Sequence, residues 1–209
     1  MTRTIIIGSG IAGLASAIRM ARRGFSVQLF EASGRVGGKI VERRFSGFRF
    51  DAGPSLLTLP ELVHDLLEDD LRFPIQRLDV ITNYFWEDDT RLKAWNDVEK
   101  LSQEIGEKLG ISPEKVKSYL RKSGVVYELT ADLFIFGSFH RLKNLLNRKS
   151  LKTLLNIGKL KAFKTLHQFN TEVLEHPKLV QLFDRYATYN GSNPYQTPAT
   201  LSVISHLEH

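Results

Sequence analysis

A glycine-rich segment near the N-terminus constrains the fold more strongly than any other feature of the chain. The segment 8–13 reads Gly-Ser-Gly-Ile-Ala-Gly. The β-branched run Thr4–Ile7 precedes it and is typical of a strand that is buried on both faces. A helical pattern over Leu14–Arg23 follows, and a second strand is predicted at Phe25–Glu31. The sequence therefore predicts a compact β-α-β unit, with the glycines at the turn between the first strand and the helix.

The spacing of the three glycines suits a turn that holds a pyrophosphate. Gly8 permits a tight turn, Gly10 lets the backbone approach the phosphates, and Gly13 lets the helix pack close to the strand. Glu31 ends the second strand 18 positions after Gly13, where a carboxylate can accept hydrogen bonds from ribose hydroxyls. A carboxylate there disfavours a 2′-phosphate, so NADP is not expected. The alternative is a glycine-rich turn beside a surface glutamate, with no nucleotide bound.

A second glycine-bearing loop follows the second strand, and it predicts which dinucleotide binds. The segment 31–39 reads Glu-Ala-Ser-Gly-Arg-Val-Gly-Gly-Lys. Gly37 and Gly38 offer backbone donors without side chains, and Arg35 adds a positive charge near the phosphates. This loop resembles the Arg-x-Gly-Gly segment of an FAD superfamily that includes monoamine oxidases, protoporphyrinogen oxidases and carotenoid desaturases. The resemblance implies that the cofactor is FAD.

Two further segments resemble one branch of that superfamily, the phytoene desaturase or carotenoid desaturase family. The segment 50–55, Phe-Asp-Ala-Gly-Pro-Ser, resembles the stretch that follows the flavin motif in those enzymes. The segment 189–199, running into 205–209, resembles another of their stretches. The family implies an FAD-dependent oxidoreductase that desaturates a carotenoid precursor such as phytoene by hydride transfer to the flavin. Relatives isomerise, saturate or oxygenate polyenes, so the reaction itself stays open.

The motifs and the resemblance together give a set of expected cofactor-binding residues, whereas no catalytic side chain is predicted. Six histidines are scattered without metal-ligand spacing, and the chain has no cysteine, so no metal site is expected. The expected FAD-binding residues are Gly8, Ser9, Gly10, Ile11, Ala12, Gly13, Glu31, Ala32, Arg35, Gly37, Gly38, Lys39, Gly53, Pro54 and Ser55.

The predicted fold class is α/β. A Rossmann-like FAD-binding βαβ unit, which is an incomplete doubly wound sheet, is followed by a mainly helical substrate or cap region with a β-hairpin. We expect residues 1–60 to be the N-terminal part of an FAD-binding domain and residues 61–209 to be the substrate-binding region. The hairpin is predicted from Leu78–Trp86 and Thr90–Trp95. Family members are more than twice as long and complete the flavin site with a C-terminal segment, so the chain is expected to be an N-terminal fragment.

The net charge of +6 is concentrated in one stretch. Residues 141–164 contain eight Lys or Arg and no acid, with leucines at helical spacing. Such a stretch can lie on an anionic membrane surface, or it can be the solvated basic face of a helix that packs into the cap. We expect a cytoplasmic protein that associates peripherally with the inner face of the membrane. An export signal, a transmembrane segment and nucleic-acid binding are not expected, and the oligomeric state is not predicted.

Two other functions remain open at this point. The first is a flavin oxidase of the amine or protoporphyrinogen type, which needs a polar, ionisable substrate pocket. The second is a non-catalytic isoprenoid-binding protein that retains the fold but has lost the flavin. The intact residues Gly8, Gly10, Gly13 and Glu31 argue against the second, since a protein without flavin has little need of them.

Overall fold

The computed structural model describes residues 2–54, 56–67, 74–134, 136–137, 161 and 163–209, with the backbone alone for 132–134. The chain divides into two compact units, Met1–Ile75 and Gln76–His209. The expected division into a cofactor part, 1–60, and a substrate part, 61–209, stays a prediction about domain roles.

The first unit contains the predicted β-α-β arrangement. Its elements are β1 Arg3–Ile7, α1 Ile11–Arg22, β2 Ser26–Phe30, β3 Glu42–Phe45, β4 Phe48–Asp51 and α2 Pro60–Leu67. Strands β1 and β2 are parallel, with α1 as the crossover between them. Strands β3 and β4 form an antiparallel hairpin. Helix α1 begins at Ile11, three residues earlier than predicted, because the extended backbone of Gly10 leads directly into the first turn.

Apolar side chains of the first unit are largely exposed. Among its described residues only Ser9 is buried. Ile7 on β1 is 88% exposed, and Phe45 on β3 is 74% exposed. Two paired strands and one covering helix bury too little surface for a core of their own. The parallel pair therefore presents an apolar surface rather than a closed interior.

The second unit carries the buried core of the described chain. Its elements are β5 Val80–Phe85, β6 Arg91–Trp95, α3 Val98–Leu109, α4 Pro113–Phe134, α5 Leu166–Leu174, α6 Pro177–Asp184, the 3₁₀ helices Arg185–Asn190 and Ala199–Ser202, and α7 Val203–Glu208. Strands β5 and β6 form the predicted antiparallel hairpin. The rings of Tyr119 on α4 and Phe183 on α6 lie 4.4 Å apart in this core, and Leu101 and Ile105 of α3 are completely buried.

Local signals in the sequence explain where several of these helices begin. Asp97 accepts a hydrogen bond from the Lys100 amide and caps α3. Thr165 and Gln168 form a reciprocal capping box at the start of α5. Pro177 occupies the first turn of α6, where its missing N–H costs no hydrogen bond.

Most of the basic stretch 141–164 lies outside the described residues. Of its eight cations the structure describes Lys161 and Lys164, and Lys164 pairs with Glu172 at 2.6 Å. Within the described ranges, no helix combines the length and the apolar character that crossing a membrane requires.

Candidate functional site

The loop between β1 and α1 is closed tightly by its glycines. Gly8 has φ of +97°, in the region that favours glycine, and its amide donates to the Phe30 carbonyl of β2 at 2.7 Å. A Cβ atom on Gly13 would lie 1.9 Å from the carbonyl oxygen of Gly8. The first turn of α1 therefore rests directly on the loop, and only a residue without a side chain fits at position 13.

The N-terminus of α1 is left without a protein cap. Gly10 occupies the N-cap position, where it has no side chain to accept a hydrogen bond, and no acidic residue lies in the first turn. The first amides of a helix have no partner within the helix, and the helix dipole places partial positive charge there. Ile11 and Ala12, at the same end, are exposed. This end of α1 can accept an anionic group such as a pyrophosphate.

Glu31 stands directly after β2 and is held by four hydrogen bonds. The hydroxyl and the amide of Ser9 donate to one carboxylate oxygen at 2.6 and 2.7 Å. The amide and the hydroxyl of Ser33 donate to the other oxygen at 2.8 and 2.9 Å. These bonds, the Ser9 hydroxyl first, lower the pKa of Glu31 to about 2. Glu31 is therefore a carboxylate at neutral pH, fixed in position beside the first glycine loop.

The second glycine loop touches the first. The amide of Gly37 donates to the Ser9 carbonyl at 2.9 Å. A Cβ atom on Gly38 would lie 3.0 Å from the Cα atom of Gly10, and Gly37 and Gly38 both have positive φ angles, +108° and +61°. A side chain at position 38 would press on the first loop, and one at position 37 would meet the Ile40 carbonyl oxygen at 3.1 Å. The contact of the two loops places backbone groups of both at the same end of α1.

The third predicted segment also reaches the second loop. A Cβ atom on Gly53 would lie 2.1 Å from the Lys39 carbonyl oxygen, and the Ala52 amide donates to the Val41 carbonyl at 2.7 Å. Gly53 and Pro54 thus follow β4 back to the loop that contains Lys39. Ser55 lies outside the described residues.

The predicted side chains do not all converge. Ala32, Arg35 and Lys39 are exposed, so their side chains are available to solvent rather than fixed in the site. Ser33, by contrast, holds Glu31 and is absent from the predicted set. Its position two residues after Glu31, where a hydroxyl and an amide can both reach a preceding carboxylate, is the signal that could have identified it. No group of His, Asp and Glu in the described part of the chain is arranged to hold a metal ion.

The geometry fits a dinucleotide. Glycines form the surface where a side chain would obstruct the phosphates, and the uncapped helix end offers donors to the anion. The Ser33 hydroxyl has one hydrogen and can donate it to the Arg35 carbonyl oxygen instead of Glu31, which leaves a carboxylate site that can accept from a ribose hydroxyl. The residues of this fit lie between β1 and β4, and the groups that they suit are a pyrophosphate and a ribose.

Comparisons with known proteins agree with this geometry. Residues 6–69 match the model of an NAD(P)-binding Rossmann-like domain. A 1-hydroxycarotenoid 3,4-desaturase from Flavobacterium sp. (strain P99-3) is 42% identical over 212 residues, which cover 100% of this chain and 43% of that protein. A 4,4′-diapolycopen-4-al dehydrogenase from Metabacillus indicus is 29% identical, over 98% of this chain and 42% of that protein. The chain thus spans less than half the length of these relatives.

A solved structure shares the fold. Cyclohexylamine oxidase from Brevibacterium oxydans IH-35A superposes with a TM-score of 0.58 at 20% identity, over 97% of this chain and 40% of that one. The predicted Rossmann-like fold is thereby confirmed, and the relatives support FAD as the dinucleotide. The comparisons support the carotenoid desaturase family, and the chain matches the N-terminal portion of the relatives.

Proposed function

We propose that this chain provides the FAD-binding loops and part of the substrate-binding region of an oxidoreductase that desaturates a carotenoid precursor. The observation that carries the proposal is the contact of the two glycine loops at the uncapped end of α1, beside the ionised Glu31. The similarity to enzymes of carotenoids and diapocarotenoids supports the substrate class.

The proposed roles follow from the geometry. Gly10 and the first turn of α1, Ile11–Gly13, face the pyrophosphate, and Gly37 and Gly38 lie against them. Glu31 accepts hydrogen bonds from the ribose of the adenosine, with Ser9 holding it in place. We propose that the remaining predicted residues border the same cofactor. These residues are Ala32, Arg35, Lys39, Gly53, Pro54 and Ser55. When bound, FAD supplies an acceptor for the hydride that leaves a C–H bond of the polyene.

The proposal is tested by titrating the chain with FAD, ADP and NADP. Retention of flavin absorbance after desalting, and displacement of the flavin by ADP, are the expected results. NADP is expected to compete poorly, because its 2′-phosphate would meet the Glu31 carboxylate. Glu31→Gln, which has the same shape without the charge, is expected to reduce the discrimination against NADP. A chain that binds neither FAD nor ADP contradicts the proposed roles.

Association with a membrane surface is part of the same proposal. Its support is the composition of residues 141–164, which combine eight cations with leucines at helical spacing and contain no acid. We propose attachment to the inner, cytoplasmic face, where an apolar polyene would be available. Co-sedimentation with vesicles of anionic lipid, but not with vesicles of neutral phosphatidylcholine, is the expected outcome. Binding that does not depend on lipid charge would contradict it.

A further inference from the structure

A series of hydrogen bonds in the second unit determines which ring nitrogen of His167 carries a hydrogen atom. The Tyr119 hydroxyl donates to Asn170 Oδ1 at 2.7 Å, and Asn170 Nδ2 donates to Asp184 Oδ1 at 2.8 Å. The other carboxylate oxygen, Asp184 Oδ2, lies 2.6 Å from His167 Nδ1. Tyr119 and Asn170 are completely buried, and Asp184 is 9% exposed. The series begins in the core and ends at His167.

The direction of each bond follows from the chemistry of the groups. Burial raises the pKa of Tyr119, so its phenol keeps the proton and donates it. A carboxylate only accepts, so Asn170 must turn its amide nitrogen toward Asp184. For the same reason His167 must carry its hydrogen on Nδ1. In the neutral imidazole, Nε2 then has a free lone pair and acts as an acceptor.

His167 stands in the wall of a groove that lies within the second unit. The groove has a volume of about 690 Å³ and runs between α5, α6 and the turn at 193–196. Such a volume falls within the roughly 300–1,000 Å³ of small-molecule sites. The ring of Tyr195 lies 4.3 Å from the ring of His167, and Val180, Pro177 and Pro194 supply apolar surface.

The charged residues of the lining have partners of opposite charge, whereas one ring nitrogen of each histidine has no hydrogen-bond partner in the described part of the chain. Glu175 bonds to Lys115 at 2.6 Å, and Arg185 bonds to Glu208 at 2.5 Å. Among the described residues, Nε2 of His167 has no hydrogen-bond partner, and neither has the buried Nδ1 of His176. The buried Nε of Arg185 also has no partner, although the Arg185 guanidinium is paired with Glu208 through another nitrogen. A ligand that reaches His167 Nε2 with a hydrogen-bond donor meets an acceptor.

We propose that this groove binds an apolar molecule that carries a hydroxyl group, and that His167 Nε2 accepts the hydrogen bond from that hydroxyl. Asp184 is a positioning residue, since it sets which nitrogen of His167 is the acceptor. All the residues of this site belong to Gln76–His209, and none belongs to the dinucleotide-binding loops of the first unit.

Three matched probes test the proposal on the whole chain at pH 8. Geraniol offers a hydroxyl donor, geranyl methyl ether has an acceptor alone, and geranic acid carries a negative charge. Geraniol is expected to bind about three- to tenfold more tightly than the ether, as one net hydrogen bond provides. In ¹⁵N spectra of histidine-labelled chain, the His167 Nε2 signal is expected to move with geraniol and to stay in place with the ether. Equal affinity for alcohol and ether, or tighter binding of the acid, overturns the proposal.

Two variants separate the hydrogen bond from a structural effect. His167→Phe is expected to bind alcohol and ether equally, whereas His206→Phe, outside the groove, keeps the preference for the alcohol. Asp184→Asn keeps the shape and can still accept from Asn170, but its amide donates to His167 Nδ1 and moves the imidazole hydrogen to Nε2. The preference for geraniol is then expected to disappear, because the alcohol and the ether can both accept from Nε2. An Asp184→Asn chain that folds and still prefers geraniol overturns the assigned role of Asp184.

Discussion

The hydroxyl of Ser9 lies 2.6 Å from the carboxylate of Glu31, although 22 positions separate the two residues in the sequence. The amide of Ser9 donates to the same oxygen. These two hydrogen bonds from Ser9 join the first glycine loop to the end of β2. The acceptor that we assign to the ribose is therefore positioned by the same loop that we assign to the phosphates.

The first prediction concerns the titration of Glu31. Its pKa is lowered to about 2 from an ordinary 4.5, so its hydrogen bonds stabilise the fold fully above about pH 4.5 and are lost as the pH falls toward 2. Ser9→Ala removes the largest cause and is expected to raise the pKa of Glu31 toward its ordinary value. The ¹³C signal of the carboxyl group measures this midpoint directly. Ser26→Ala, on the exposed face of β2, serves as the control, and a midpoint near 4.5 in the unaltered chain contradicts the described geometry.

The second prediction compares two glycine-to-alanine substitutions. Gly13→Ala places a methyl group 1.9 Å from the Gly8 oxygen, so α1 must move away from the loop. We expect FAD affinity to fall by at least about tenfold, or 1.4 kcal/mol. Gly34→Ala meets no atom within 4 Å and is expected to bind FAD nearly as well as the unaltered chain. Quenching of flavin fluorescence measures the FAD affinity of both variants. An equal loss of affinity in the two would contradict the assigned clash between position 13 and the Gly8 oxygen.

The third prediction concerns the capping box of α5. Thr165→Ala removes the oxygen that accepts from the Gln168 amide, and it is expected to destabilise the second unit by about 1 kcal/mol. Gln168→Ala removes the reciprocal bond to the Thr165 amide. Urea unfolding of both single variants and of the double variant checks the result. If the two bonds support each other, the double variant loses less than the sum of the single losses.

The fourth prediction concerns the buried hydroxyl of Tyr119. Tyr119→Phe leaves Oδ1 of Asn170 without its donor in the core, which is expected to cost about 1–3 kcal/mol. Tyr127→Phe is the matched control, because Tyr127 is half-buried and makes a ring contact with His206 rather than a buried hydroxyl bond. Its expected effect is within about 0.5 kcal/mol. Thermal unfolding of the two variants separates the cases, and equal stability of both would contradict the assigned hydrogen bond.

The first unit could be predicted in detail because its signals are local. Gly8, Gly10 and Gly13 lie within six positions, and Gly8, by its positive φ angle, and Gly13, by its contact with the Gly8 carbonyl, have requirements that glycine meets. The strands on either side are short apolar runs, and their pairing follows from the helix between them. The sequence predicts the start of α1 three residues too late, since the motif residues Ile11–Gly13 do not show an apolar helical pattern.

The series of hydrogen bonds from Tyr119 to His167 in the second unit could not be predicted in the same way. Tyr119 and Asn170 are 51 positions apart, and His167 and Asp184 are 17 apart, so no spacing in the sequence connects them. Each histidine by itself is most simply interpreted as an ordinary surface or core residue. The packing of α5 against both α4 and α6 brings these side chains together, and that packing depends on tertiary structure rather than on a motif.

Ile7 on β1 is largely exposed, whereas Leu101 on α3 is completely buried. We therefore expect the amide hydrogens of the first unit to exchange with solvent sooner than those of the second. Amide hydrogens open to exchange most readily where few apolar contacts hold the backbone. The helical second unit is expected to keep its slowest amides with or without a cofactor. The first unit gains stability from a ligand that binds only its folded form. Hydrogen exchange should therefore record the arrival of the dinucleotide as slower exchange in β1 and β2, with little change in α3 and α4.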